Sequence, residues 1–171
     1  ADVEACIAIA RLIKTKQPKL FQYLLETRDK KKVAALIGAD VPFVYSSGKY
    51  ATQFEKTTVA IKIADHPGKQ GALVYDLRYD PSEFARLSPA QMAERWRWTR
   101  DPDAPARLPV KTLQYNRCPA VAPLGVFDEA SQKRTALSLK TVQSNLNLLQ
   151  SYPDFSNKVC AALSMLDAER E

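Results

Sequence analysis

Residues 57–77 constrain the fold more than any other stretch of the chain. Thr57 to Ala64 (TTVAIKIA) alternates, with β-branched Val59, Ile61 and Ile63 recurring at every second position. That period marks a half-buried β-strand. His66-Pro67-Gly68-Lys69-Gln70-Gly71 follows as a turn or bulged loop, and Ala72 to Leu77 (ALVYDL) is the returning strand. The two runs read together as a β-hairpin. Around it the pattern is helical on both sides, so the hairpin belongs to a sheet set between helices.

Upstream, Asp2 to Lys14 places Val3, Ile7, Ala10 and Ile13 at helical spacing. Gln17-Pro18 ends that helix, because proline disfavours helix in the residue before it. Pro18 then suits the first turn of a second helix over Lys19 to Glu26. A third helix, Lys30 to Ile37, stops at Gly38 as a C-cap. Phe43-Val44-Tyr45 is strand-like, and Ser46-Ser47-Gly48 is a turn.

Downstream of the hairpin, Pro81 to Leu87 reads as a helical turn. Ser88 is the N-cap and Pro89 the first residue of a helix predicted to run through Trp98. Asp101 to Pro109 holds three prolines and reads as a surface loop. Leu108 to Tyr115 is a strand that breaks into a proline-punctuated connector at Cys118-Pro119. Helices are predicted over Asp128–Thr135, Lys140–Gln150 and Pro153–Leu166. This order argues for an α+β fold rather than a βαβ array. Short strands with long connections suit a small open β-barrel with an inserted helix, flanked by helices at both ends.

The chemistry is narrowed mostly by exclusion. There is no P-loop, G-x-S-x-G, H-E-x-x-H or glycine-rich phosphate loop, and the 171 residues hold only 5 glycines. One histidine, His66, rules out a His-based metal site or a Ser-His-Asp triad within this sequence. Three cysteines, Cys6, Cys118 and Cys160, form no C-x-x-C pair, which points to a reducing compartment. No run approaches about 20 apolar residues. The start, ADVEACIAIARL, has no signal-peptide pattern and reads as the middle of a helix, as expected of a piece cut from something longer. The net charge of +6 favours a polyanionic partner. Cations beside aromatics, as a single-stranded nucleic acid requires, occur at Arg28-Asp29-Lys30-Lys31-Lys32, at Lys49-Tyr50 and at Trp96-Arg97-Trp98-Thr99-Arg100. Each also has a plainer reading as a solvated face or as core.

Three stretches carry a family resemblance. Asp2–Leu24 reads DVEACIAIARLIKTKQPKLFQYL, Arg28–Ile37 reads RDKKKVAALI, and Pro109-Val110-Lys111 is followed by Asn116 and Cys118-Pro119. Together they resemble bacterial exodeoxyribonuclease I, which digests single-stranded DNA from the 3′ end. Ser138–Met165 is similar to a later part of that family. The resemblance divides the chain into residues 1–26 (end of a DEDD-type exonuclease domain), 27–125 (an SH3-like domain) and 126–171 (start of a C-terminal helical domain). It implies that Asp2 is the last of four acidic metal ligands holding two ions, Mg2+ in the parent enzyme. The other three ligands and the general-base histidine would lie before Ala1, so this piece alone is expected to be inactive. It implies a channel for single-stranded DNA, for which Arg28, Lys30, Lys31, Lys32, Lys49, Tyr50, Trp96 and Arg97 are the candidates. It implies a pocket for the C-terminal tail of single-stranded-DNA-binding protein that includes Tyr23, although Val41 and Gln150 stand where that pocket would carry cations. A cytoplasmic location and a monomeric parent enzyme complete the expectation. The alternative is a purely structural domain that braces the nuclease and binds no ligand of its own.

Overall fold

The computed structural model describes residues 2–38 and 40–169. Three helices lead the chain: α1 (Asp2–Lys16), α2 (Pro18–Glu26) and α3 (Lys30–Ile37). Strands β1 (Phe43–Ser46), β2 (Thr57–Asp65) and β3 (Gly71–Asp76) follow, then α4 (Ser82–Ala85) and α5 (Pro89–Trp96). Strands β4 (Val110–Gln114) and β5 (Ala120–Pro123) lead to α6 (Glu129–Thr135), α7 (Leu139–Gln150) and α8 (Phe155–Ala168). The strands form one antiparallel sheet in the order β4-β3-β2-β1-β5, left open between its outer members, as an SH3-like fold requires.

The expected hairpin is β2–β3, with a register shift between Lys62 and Ala64. Its alternation sorts side chains to two cores. Val59, Ile61, Leu73, Tyr75 and Leu77 face a cluster completed by α5, α7 and α8. Ala60, Ala72 and Val74 face a second cluster with Val33 and Ile37 of α3. β3 is therefore buried on both faces. The strands approach so closely at Gly71 that a Cβ there would lie 2.2 Å from the Leu113 carbonyl oxygen. Only glycine fits that position.

Two expectations are corrected. Ala120–Pro123, read as connector, is a strand paired with β1, Phe43 opposite Pro123. It is an edge strand, where the missing N–H of proline does no harm. The helix predicted through Trp98 ends at Trp96, because Arg97 turns to an extended conformation (ψ 147°). Gly38 is the C-cap of α3 as expected, its N–H donating to the Ala34 carbonyl. The helical turn expected over Pro81–Leu87 is α4, and it precedes α5 between β3 and β4. The N-cap at Ser88 holds as expected: its hydroxyl accepts from the Gln91 N–H, and the Gln91 side chain accepts from the Ser88 N–H, a complete capping box.

The sheet and the last helices share one core. Polar ties reinforce that packing. Arg78 donates to the carbonyls of Thr135 (2.8 Å), Ala136 and Thr57, with its guanidinium 3.8 Å above the Phe54 ring. Asn145 donates to the Leu77 carbonyl (2.9 Å) and Lys158 to the Ala85 carbonyl (2.9 Å). At the other end, α1 and α2 pack on each other but bury no residue, and Val3, Ile9 and Leu12 stay exposed.

Candidate nucleic-acid interface

The tip of the β2–β3 hairpin is where basic residues from distant parts of the chain meet. The turn is held rigidly. The His66 N–H donates to the Gly71 carbonyl (3.0 Å), and the Gly68 N–H donates to His66 Nδ1 (3.1 Å). On its far side the Tyr115 N–H donates to the Gln70 carbonyl (3.1 Å), and Lys30 Nζ donates to Gln70 Oε1 (3.2 Å). Lys69 is thus presented from a turn tied to α3 and to the end of β4.

Lys69 lines three hollows at once. The largest, about 620 Å³, holds Lys49, Arg117, Cys118 and Thr112. A second, about 300 Å³, holds His66, Trp96, Arg97, Trp98, Arg107 and Thr112. The third, about 470 Å³, holds Lys30, Lys31, Asp65 and Tyr115. Three cations at the junction, Lys49, Lys69 and Arg117, form no ion pair among the described residues. Such a junction offers several positive charges to one extended polyanion.

The candidates fall into three groups. Lys30, Lys31 and Lys49 line the hollows, and Arg97 joins them, but its guanidinium pairs with Glu94 (3.3 Å) and with Glu169. Lys32 pairs with Glu26 (3.6 Å), and neither it nor Arg28 lines any of these hollows. The two expected aromatics differ in placement. Tyr50 is 8% exposed, meets Tyr45 edge-on at 5.4 Å and lies under the Lys111 ammonium. It supports the sheet and has no face to offer a base. Trp96 is half-buried against the first core. Three cations escaped the sequence reading, namely Lys69, Arg107 and Arg117. No local signal marks them, because they lie in separate loops that only the sheet brings together.

Lys111 stands just beneath this surface. Burial, with Arg107 nearby, holds its ammonium below the ordinary lysine range. His66 is turned inward, at 7% exposure. Burial, and then the charge of Lys69, lower its pKa; Asp167 on α8 opposes them. Lys30, Lys31 and Asp65 share its hollow, and Arg97 and Arg107 line the hollow on its other side. A depressed histidine pKa means the unfolded chain takes up the proton first. Stability should therefore be complete above the ordinary value of about 6.5 and fall as pH is lowered through it toward the folded value. Melting temperatures measured from pH 8 to 5 should drop less for His66→Gln than for wild type. Parallel curves would remove His66 from the pH response.

The other expected sites lie elsewhere. Asp2 is exposed in the first turn of α1. Among the described residues, no group of three or more His, Cys, Asp or Glu could hold a metal ion. Tyr23 donates its hydroxyl to the Val121 carbonyl (2.7 Å), tying α2 to β5, and burial holds the phenol above its ordinary pKa. Gln150 lines a separate hollow of about 210 Å³ with Leu146, Leu149, Tyr152 and Phe155. No helix among the described residues is long and apolar enough to cross a membrane.

Comparison with known proteins places this chain in a family. Residues 28–164 match the family model "Exonuclease I SH3-like domain". The chain is 33% identical to exodeoxyribonuclease I of Escherichia coli over 165 residues, covering 94% of this chain and 35% of that protein. It superposes on the metal-free E. coli ExoI–ssDNA complex with a TM-score of 0.89 at 31% identity, covering 96% of this chain and 36% of the other. A crystal structure of SSB/Exonuclease I in complex with inhibitor CFAM is similar at a TM-score of 0.85 and 31% identity, with 96% and 35% covered. The chain spans about a third of the length of the curated relatives it matches. With four-fifths of its length matched by the family model, the chain belongs to the exonuclease I SH3-like domain family.

Proposed function

We propose that the chain is the central segment of an exodeoxyribonuclease I, a 3′→5′ single-stranded DNA exonuclease, and that it forms part of the channel gripping the DNA. The observation that carries this reading is the junction at Lys69, where cations from α3, from the β1–β2 turn and from the β4–β5 connection border one continuous surface. Phosphates of an extended single strand would contact Lys49, Lys69 and Arg117 first, with Lys30 and Lys31 on one flank and Arg107 on the other. Contacts of this kind to phosphates are independent of base sequence.

Catalysis lies outside this segment in the same proposal. Asp2 would be one carboxylate of a two-ion site, for which Mg2+ is the expected metal. Its solitary position does not fit a complete site, so the segment alone is inactive and no chemical step is assigned to it. The exposed apolar faces of α1 and α2 would pack against the exonuclease domain. The tail of single-stranded-DNA-binding protein would dock near Tyr23, in a cytoplasmic, monomeric enzyme.

Lysine acetylation read by mass spectrometry tests the DNA surface. Saturating oligo-dT should protect Lys69 and Lys49, while Lys140 on α7 reacts as before. Equal reaction of all three with and without oligo-dT would refute it. The bracing reading has its own support in Arg78, Asn145 and Lys158, which tie sheet to helices through buried carbonyls. That role is compatible with a DNA surface on the opposite end of the sheet.

A further inference from the structure

Trp98 is the largest apolar side chain left in the open, at 65% exposure. It sits just past the extended residue that ends α5, so the backbone carries it away from the core that holds Trp96. Its ring borders two hollows. One is the 300 Å³ hollow that also contains Lys69, Thr112 and Arg107. The other, about 510 Å³, is lined by Leu87, Arg95, Thr99, Pro105 and Arg107. The Arg100 guanidinium stands 5.2 Å from the ring centroid. Glu94 and Glu169 are engaged by Arg97, and Glu83 by Arg95, so that Arg100, Arg107 and Lys69 face one carboxylate in the 300 Å³ hollow, Asp167.

We propose that Trp98 is a stacking platform for one unpaired nucleobase of the DNA whose phosphates follow the Lys69 junction. The inference rests on the function proposed above and extends its footprint to the α5–β4 loop. Lys69 and Thr112 line both the main hollow and the Trp98 hollow, so a strand leaving the first enters the second without a break. A hollow of several hundred Å³ accommodates a nucleotide. An aromatic face beside guanidinium groups suits a base and its phosphate together, and stacking tolerates any of the four bases. A protein partner would need a broader apolar patch, whereas the rim here is mainly cationic, with Lys69, Arg97 and Arg107 against Asp167.

The test uses the 171-residue chain and two fluorescent oligomers of equal length, oligo-dT and an abasic oligomer with the same phosphates. Trp98→Ala should weaken oligo-dT binding by roughly 5- to 100-fold. It should leave abasic binding and the salt slope unchanged, and Trp98→Phe should recover most of the loss. The ring is exposed, so neither substitution threatens folding. Equal loss on both oligomers, or no loss on oligo-dT while Lys69→Glu still weakens it, would overturn the stacking role and leave the phosphate surface standing. Failure of the wild-type chain to bind either oligomer would overturn both.

Discussion

Lys69→Glu is expected to weaken binding of oligo-dT by roughly ten- to a hundredfold at low salt. The reversal places an anion where three basic hollows meet. It would repel the phosphate that Lys69 attracts and also neutralise the field of Lys49 and Arg117 beside it. The slope of log affinity against log salt should fall by about 0.7 for each phosphate that the variant no longer neutralises. The turn itself is held by backbone groups, His66 Nδ1 and the Gln70 side chain, none of which uses Lys69. Melting temperature should therefore stay near the wild-type value. Anisotropy titrations at several salt concentrations measure both affinity and slope, and no change in either would remove Lys69 from the interface.

Tyr75→Ala is expected to cost about 3–5 kcal/mol of folding stability. Tyr75 is fully buried on the interior strand β3, in the core that the sheet shares with the last helices. Its ring meets Phe155 of α8 edge-on at 5.5 Å, and its hydroxyl donates to the Tyr79 carbonyl (3.1 Å). Truncation removes the largest of the fully buried side chains and leaves a cavity between sheet and helices. Against a typical domain stability of about 5–15 kcal/mol, the loss is large. Urea unfolding followed by circular dichroism should show the transition midpoint well below that of wild type. A loss below about 1 kcal/mol would mean the sheet and α8 are not one cooperative unit.

What was legible in the sequence was local. The β2–β3 hairpin announced itself through alternation, α1 through its apolar spacing, and α5 through Ser88 and Pro89. The edge strand β5 was hidden because its own residues, Ala120 to Pro123, carry proline, and its pairing with β1 spans more than seventy residues of chain. Tyr50 looked like a surface aromatic beside a glycine turn, but the turn folds it back over Tyr45. The binding surface was the least legible part. Arg28 to Lys32 stood out as a run, yet the helix sends Lys32 toward Glu26 and only Lys30 and Lys31 toward the hairpin. Lys69 and Arg117 are isolated in sequence and meet only through the antiparallel register of β3 and β4, which sets Gly71 opposite Gln114, while Arg107 reaches the Lys69 hollow from the loop before β4. A family resemblance could supply the domain and its enzyme. It could not supply which cations converge, since that depends on turn geometry in this chain.

The claim that this segment grips single-stranded DNA is tested most directly by titrating the wild-type chain into labelled oligo-dT at a series of salt concentrations. Contact with Lys49, Lys69 and Arg117 predicts binding at low salt with a log–log slope near −2, at about −0.7 for each of three phosphates. No binding at low salt, or binding whose affinity is independent of salt, would contradict the account.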